Sequence, residues 1–436
     1  MNLNHLTVFR RIMEHPIPRI LSELVECSSQ EGEEKASQLV ALLIRQSEKY
    51  LLEGPVLEAW LWHRILGDVN AFSMNCENGW QVPQESSLYQ GVLRDLHIIR
   101  SSLAAGVECL KTYGLAEFAV QYVRCAKKRA DTSPAEHRAK VLKEFCEHHS
   151  LTGPATDEEL AESLAEYYHR QGCGILAMFP MFRWDREKGL VGVENYDTIR
   201  MEDLVGYRYQ KEMLIANTLA FVQGKEANNV LLAGAGGTGK SSAVKALANE
   251  YFDQGLRLLE IGKDQMDQLP QVLSYIAGRG KRFILFIDDL SFEDFETDYK
   301  YMKSLLEGSV EKKPENVVFY ATSNRRHIIQ QKWKDRQTEH YDEEVHGIEA
   351  MNEKLSLSQR FGLTLTYPVP NQALYLEIVH FLADKNGIIE DPKTLERAAL
   401  QWSMEQKGFS GRSARQFILY YQQKNNVCHF PRPFEL

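Results

Sequence analysis

VLLAGAGGTGKSS, Val230 to Ser242, is an apolar run followed by a glycine-rich loop that ends in Lys240, Ser241 and Ser242. Gly234 to Ser241 fits G-x-x-x-x-G-K-[ST], with an apolar strand before it and a helical run after it, which is the context that pattern requires. Glycines at Gly234, Gly236, Gly237 and Gly239 let the backbone wrap close to phosphate oxygens, so that its amides point inward where side chains would obstruct them. Read this way, Gly234, Ala235, Gly236, Gly237, Thr238, Gly239, Lys240, Ser241 and Ser242 cradle the phosphates of ATP. Lys240 meets the β and γ phosphates, the Ser241 hydroxyl ligates Mg²⁺, and the helix N-terminus adds its dipole. Glycine-rich loops also occur as plain turns; the flanking strand and helix separate the two cases.

Working outward, FILFIDD at 283–289 is an apolar strand ending in two acids. A nucleotidase of this type places there the carboxylate that holds the magnesium shell, which makes Asp288 the candidate metal residue. Asp289 is the candidate for activating the attacking water, although its short side chain sets the carboxylate back by about one methylene relative to glutamate. VVFYA at 317–321 is a further buried strand, closing on Thr322, Ser323 and Asn324. Asn324 can hydrogen-bond the γ phosphate or the attacking water, yet a strand ending in Ser-Asn is also how an ordinary turn begins. Arg360, in SQRFG, and Arg412, in GFSGRSAR, are guanidinium candidates for the charge that spreads during phosphoryl transfer. On chemistry alone both arginines read equally well as solvated surface groups.

Around these motifs, from about Met201, short buried strands alternate with helices: NNVLLAG, a helix from Lys240, LRLLEI, a helix across 264–277, RFILFIDD, a helix across 299–306, and NVVFYATSN. Continuous apolar runs separated by helices predict a parallel sheet covered on both faces. Upstream, apolar residues at spacings of three and four, as in Leu39, Val40, Leu43 and in Leu96, Ile99, Leu103, predict an all-α region to about Ser150. Thr156 caps a further helix, and the acids after it suit the positive helix end. The stretch 172–198 carries Gly-containing turns and reads as an irregular or short-stranded connector. The expected boundaries are 1–170 for a mostly α-helical N-terminal domain, 171–200 for the connector, 201–370 for the α/β core and 371–436 for a helical lid.

Composition is that of a soluble globular chain: 436 residues, 44% hydrophobic, 25% charged, formal net charge −9. That balance argues against a uniformly basic surface and leaves room for a local basic stripe. The seven cysteines are odd in number and never spaced C-x-x-C, which points to neither a disulfide framework nor a zinc ribbon and suits a reducing cytoplasm. Cys146-Glu147-His148-His149 reads as a helix end. No stretch has the roughly 18 uninterrupted apolar residues of a membrane span, and the first residues lack the apolar core of an export signal, so a cytoplasmic protein is expected.

The order of motifs resembles the AAA+ ATPase superfamily over about 201–436: glycine-rich loop, acid-tipped strand, Thr-Ser-Asn strand end, Arg-Phe-Gly, then Gly-Arg in a trailing helical region. Within it, ANNVLLAGAGGTGKSSAVKALANEY, FILFIDDLSFE and YATSNRRHII look like the bacterial family catalogued as domain of unknown function 815. The resemblance implies an α/β P-loop core with a parallel sheet and a C-terminal helical lid, preceded by the mostly α N-terminal domain. It also implies that Val205, Gly206 and Tyr207 lie near adenine, that Asn324 senses the γ phosphate, that Arg360 is a finger given to a neighbouring subunit, and that Arg412 reaches back from the lid. Arg415, one turn on, is the second choice for that last role. ATP and Mg²⁺ are the implied cofactors, a homo-oligomer the implied state, and assembly or remodelling of a protein or nucleic-acid client the implied output. The departure is Asp289 where many relatives carry glutamate. It leaves open a nucleotide-gated binding module with little turnover; a small-molecule kinase fits less well, since no acceptor motif is evident. The aromatic run Phe292, Phe295, Tyr299 and Tyr301 reads as packing or as a pore surface. Arg325, Arg326, Lys332, Lys334 and Arg336, followed closely by acids, read as a solvated insertion.

Overall fold

The computed structural model describes residues 2–27, 29–124, 134–290, 313–324, 361–405 and 408–427. The chain divides into two compact units. The first is Met1–Thr198 with Tyr251–Arg257 and Gly278–Arg282, and the second is Ile199–Glu250, Leu258–Ala277 and Phe283–Leu436.

The first unit is built from helices α1 (Pro16–Glu26), α2 (Ser29–Tyr50), α3 (Val56–Leu66), α4 (Ala71–Glu77), α5 (Ser87–Thr112), α6 (Glu117–Val120), α7 (Pro134–His148), α8 (Asp157–Gln171) and α9 (Ile175–Met178). Strands β1 (Met181–Asp185) and β2 (Gly189–Gly192) follow as an antiparallel hairpin. Helix α3 is apolar on nearly every side, and Val56, Leu57, Trp60, Leu61, Trp62, Ile65 and Leu66 are all buried, as suits a helix at the centre of a bundle. Leu39 and Leu43 of α2 and Leu96, Ile99 and Leu103 of α5 bury the stripes that their spacing predicts. Thr156 caps α8 in a reciprocal box with Glu159. Helix α7 ends at His148, within the Cys-Glu-His-His run.

A buried polar cluster also belongs to this unit. Glu77 accepts both forks of the Arg279 guanidinium at 2.7 Å, the Cys173 amide at 2.8 Å and thiol at 3.1 Å, and the Gly280 amide at 3.1 Å. Burial works to raise the Glu77 carboxyl, but the Arg279 bonds and charge overcome it and hold the group below the usual carboxylate range. Arg257, fully buried, donates to the carbonyls of Leu176, Phe252, Leu256 and Gln171 and lies 3.9 Å over the Phe252 ring. Lys281 donates to the carbonyls of His169 and Arg170, and burial, together with the Arg257 charge, pushes its ammonium down to about 7.

In the second unit, α10 (Arg208–Val222) precedes β3 (Val230–Gly234) and α11 (Lys240–Glu250). Next come β4 (Leu256–Glu260), α12 (Leu269–Ala277), β5 (Arg282–Ile287), β6 (Val317–Ser323) and β7 (Leu363–Tyr367). The strands run in the order β4-β5-β6-β3-β7, with β5/β6, β6/β3 and β3/β7 parallel. β3 and β6 are buried along their whole length, which is why they read as unbroken apolar runs. A lid of α13 (Gln372–Lys385), α14 (Pro392–Glu405) and α15 (Gly411–Val427) has its own core of Tyr375, Val379, Leu395, Ala399, Ala414 and Phe417.

Two features differ from the sequence reading. The stretch expected as one helix across 264–277 is a 3₁₀ segment, Lys263–Gln268, followed by α12. Pro270 explains the break, since it has no N–H to bond back four residues and restart the ladder. β7 was not expected: Leu363-Thr-Leu-Thr-Tyr alternates apolar and polar, and only its Leu365 and Tyr367 are buried. The expected helix across 299–306 lies outside the described residues.

Candidate functional site

The site is assembled at the C-terminal ends of β3, β5 and β6, within the second unit. Because β6 lies between β3 and β5, its last residues fall between the glycine-rich loop and the acid pair. β3 enters the loop at Gly234, where φ is +144° and an added Cβ would stand 2.0 Å from the Tyr367 carbonyl oxygen. Only glycine lets β3 and β7 meet there. The loop then takes left-handed φ values at Gly237 (+75°) and Gly239 (+87°), closes with Thr238 Oγ1 donating to the Ala235 carbonyl at 2.9 Å, and runs into α11 at Lys240.

Lys240 is buried and donates to the carbonyls of Gly234 at 3.1 Å and Ala235 at 2.8 Å and to Asn324 Oδ1 at 3.1 Å. Burial holds its ammonium below the usual lysine range, with Asp288 and Asp289 pulling the other way. Ser241 Oγ donates to Asp288 Oδ1 at 2.6 Å, and Thr322 Oγ1 donates to the same oxygen at 2.6 Å. Asp289 sits at φ +54°, a left-handed conformation that aspartate tolerates better than most residues. Its amide donates to Thr322 Oγ1 at 2.8 Å, and its Oδ1 accepts from Asn324 Nδ2 at 2.7 Å. A continuous chain of hydrogen bonds therefore runs from Lys240 through Asn324, Asp289, Thr322 and Asp288 to Ser241.

Val205, Gly206, Tyr207, Gly236, Gly237, Thr238, Gly239, Lys240, Ser241, Ser242, Asp288, Asp289, Asn324 and Arg412 all line one cavity of about 570 Å³. Gly234 and Ala235 stand behind it, engaged with β7 and Lys240. Gly206 (φ +78°) and Tyr207 (φ +51°) make a left-handed turn into α10, and Tyr207 donates to the Pro368 carbonyl at 2.7 Å. The lid is tied to the loop: the Gly411 amide, opening α15, donates to the Gly237 carbonyl at 2.9 Å, and Lys385 of α13 pairs with Asp203. Arg412 and Arg415 are both exposed and both line the cavity. Arg360 lies outside the described residues, as do Phe292, Phe295, Tyr299, Tyr301 and the basic insertion from Arg325 to Arg336.

Sequence reasoning passed over Thr322, Tyr367 and the Asp203–Lys385 tie. Thr322 carried a signal in its place at a polar strand end; the other two depend on chain segments that meet only in the fold.

The residues present fit a nucleotide's phosphates with a metal ion. The first-turn amides of α11 have no partner within the helix and, with its dipole, attract an anion. The loop's left-handed glycines keep that approach clear of Cβ atoms, and Lys240 is a buried cation at its floor. Ser241 and Asp288 present neighbouring oxygens, the donor type that Mg²⁺ prefers.

A family model described as Protein of unknown function (DUF815) matches residues 177–425, more than half of the chain. The replication factor C large subunit of Methanococcus maripaludis is 30% identical over 102 residues, which are 22% of this chain and 21% of that relative. The match thus spans about a fifth of the relative's length. Among solved structures, the Thermotoga maritima RuvB Holliday junction branch migration motor aligns at 15% identity with a TM-score of 0.37, covering 52% of this chain and 66% of that one. PCH-2 of C. elegans aligns at 16% identity with a TM-score of 0.34, covering 50% and 63%. Among the described residues, no helix is long and apolar enough to cross a membrane.

Proposed function

We propose, from the premise that the chain belongs to the family described as Protein of unknown function (DUF815), that the protein is a cytoplasmic, magnesium-dependent AAA+ ATPase. The observation that carries this reading is the convergence of Lys240, Ser241, Asp288, Asp289 and Asn324 on one cavity at the N-terminus of α11. Bound Mg-ATP supplies the phosphoryl group that is transferred to water. Gly236 to Ser242 offer amides to the phosphates, and Lys240 exchanges its carbonyl partners for phosphate oxygens. Ser241 and Asp288 hold the metal ion. Asp289 accepts the proton of the attacking water, Asn324 orients that water beside the γ phosphate, and Val205, Gly206 and Tyr207 border the base. Arg412 brings positive charge from the lid, and Arg360 serves the site of a neighbouring copy in a homo-oligomer. The output is assembly or remodelling of a macromolecular client.

Phosphate release measured with and without Mg²⁺, for the wild type, Lys240→Ala and Asp289→Asn, tests the reading. The wild type is expected to turn over ATP and both variants to lose that turnover. A wild type no faster than either variant, at concentrations that permit oligomerisation, refutes hydrolysis. In that case retained ATP binding favours a nucleotide-gated binding module, a reading supported by the short Asp289 side chain and its tie to Asn324.

A further inference from the structure

Thr322 is the most enclosed member of the hydrogen-bonded chain around the cavity, with 1% of its surface exposed. It does not line the cavity, yet it contacts each of three consecutive residues after β5. Its hydroxyl donates to Asp288 Oδ1 at 2.6 Å and accepts the Asp289 amide at 2.8 Å, while its carbonyl accepts the Leu290 amide at 2.7 Å.

The two hydroxyl bonds each have a consequence for the acid pair. Asp288 Oδ1 receives two hydroxyls, from Ser241 and Thr322, on one oxygen, which fixes the rotation of the carboxylate and hence the direction of its other oxygen, Oδ2. Asp289 is held at φ +54°, uphill for any residue with a Cβ, and its amide is anchored there by the Thr322 hydroxyl. That turn is what brings Asp289 Oδ1 to Asn324 Nδ2. A hydroxyl serves as donor and acceptor at once, so one side chain sets both acids; valine has the same shape and can do neither.

We infer that Thr322 is a positioning residue for the metal ion: through its hydroxyl it orients the Asp288 carboxylate toward Mg²⁺ and pins the left-handed turn that carries Asp289. This rests on the magnesium-nucleotide reading above. Groups that orient metal-binding carboxylates in this way typically change metal affinity by roughly 10- to 100-fold when removed.

The test compares wild type, Thr322→Val, Thr322→Ser and Lys240→Ala by titration with a fluorescent, non-hydrolysable ATP analogue, once in EDTA and once in saturating Mg²⁺. The quantity read is the gain in affinity that Mg²⁺ brings. Thr322→Val is expected to bind the analogue in EDTA as the wild type does and to lose roughly 10- to 100-fold of the Mg²⁺ gain, while Thr322→Ser keeps most of it. Circular dichroism checks the fold. Thr322→Cys, similar in volume and a poor hydrogen-bond donor, repeats the measurement if the valine variant unfolds. An undiminished Mg²⁺ gain in Thr322→Val overturns the positioning role and leaves the nucleotide site standing. A serine variant as impaired as valine shows that the hydroxyl by itself does not carry the effect, and overturns it too. A wild type that binds the analogue no better than Lys240→Ala overturns the nucleotide reading itself, and the inference with it.

Discussion

Substituting Glu77→Gln should destabilise the first unit by about 3–5 kcal/mol, the usual cost of breaking a buried ion pair from one side. The Glu77 side chain is 0% exposed and that of Arg279 8%, so water cannot replace the lost partner. Glutamine keeps one acceptor oxygen and turns the other into an NH₂ group. That group then faces donors, namely an Arg279 nitrogen with the Cys173 amide and thiol on one side, or an Arg279 nitrogen with the Gly280 amide on the other. The buried guanidinium loses the Glu77 charge. Trp60 and Trp62, both fully buried, report the unit by fluorescence during urea unfolding. With an m-value of about 3 kcal/mol/M for a unit of this size, the midpoint falls by roughly 1 M or more. Because the folded Glu77 carboxyl titrates below its ordinary value, the stability it contributes is complete above about pH 4.5 and is lost as pH falls through the folded value. The wild type therefore shows an acid-side loss that Glu77→Gln lacks. A Glu77→Gln midpoint within about 0.3 M of wild type at pH 7 would refute the reasoning and mean that the pair is solvated or relaxes freely.

Lys281 gives a prediction of the same sign in pH, in a higher window. Its ammonium titrates near 7 when folded against 10.5 ordinarily, so between those values the unfolded chain holds the extra proton and stability rises with pH, by up to about 1.4 kcal/mol per unit. Urea midpoints from pH 7 to about 8.5 should climb in the wild type and climb less in Lys281→Met; equal slopes count against a buried, depressed lysine. Gly234→Ala places a methyl 2.0 Å from the Tyr367 carbonyl, backbone against backbone, and should cost about 3 kcal/mol or more by forcing β3 and β7 apart. Thermal melting together with nucleotide titration checks it, and a wild-type melting temperature would contradict the close approach.

The parts legible in the sequence were those whose signal is local. Val230 to Ser242 carries strand, loop and helix in one window, and Phe283 to Asp289 and Val317 to Asn324 each join an unbroken apolar run to a polar tip. β7 was not legible, because Leu363 to Tyr367 alternates as an edge strand does and sits behind a long polar insertion; its importance lies in Tyr367, which meets Gly234 far away in sequence. The role of Thr322 was hidden for a related reason, since a hydroxyl at a strand end has meaning only once β6 is known to lie beside β5. Glu77, Arg257, Arg279 and Lys281 match no motif in the sequence. Four charged side chains dispersed along the chain give no pattern that distinguishes a buried, mutually satisfied cluster from a solvated surface.

The most direct test of the account is calorimetric titration of ATP with Mg²⁺ into the wild type and into Lys240→Ala. The account predicts saturable one-to-one binding in the wild type, weakened by about 100-fold or more when the buried ammonium that meets the phosphates is removed. Absence of binding in the wild type, or equal affinity in both proteins, would contradict it.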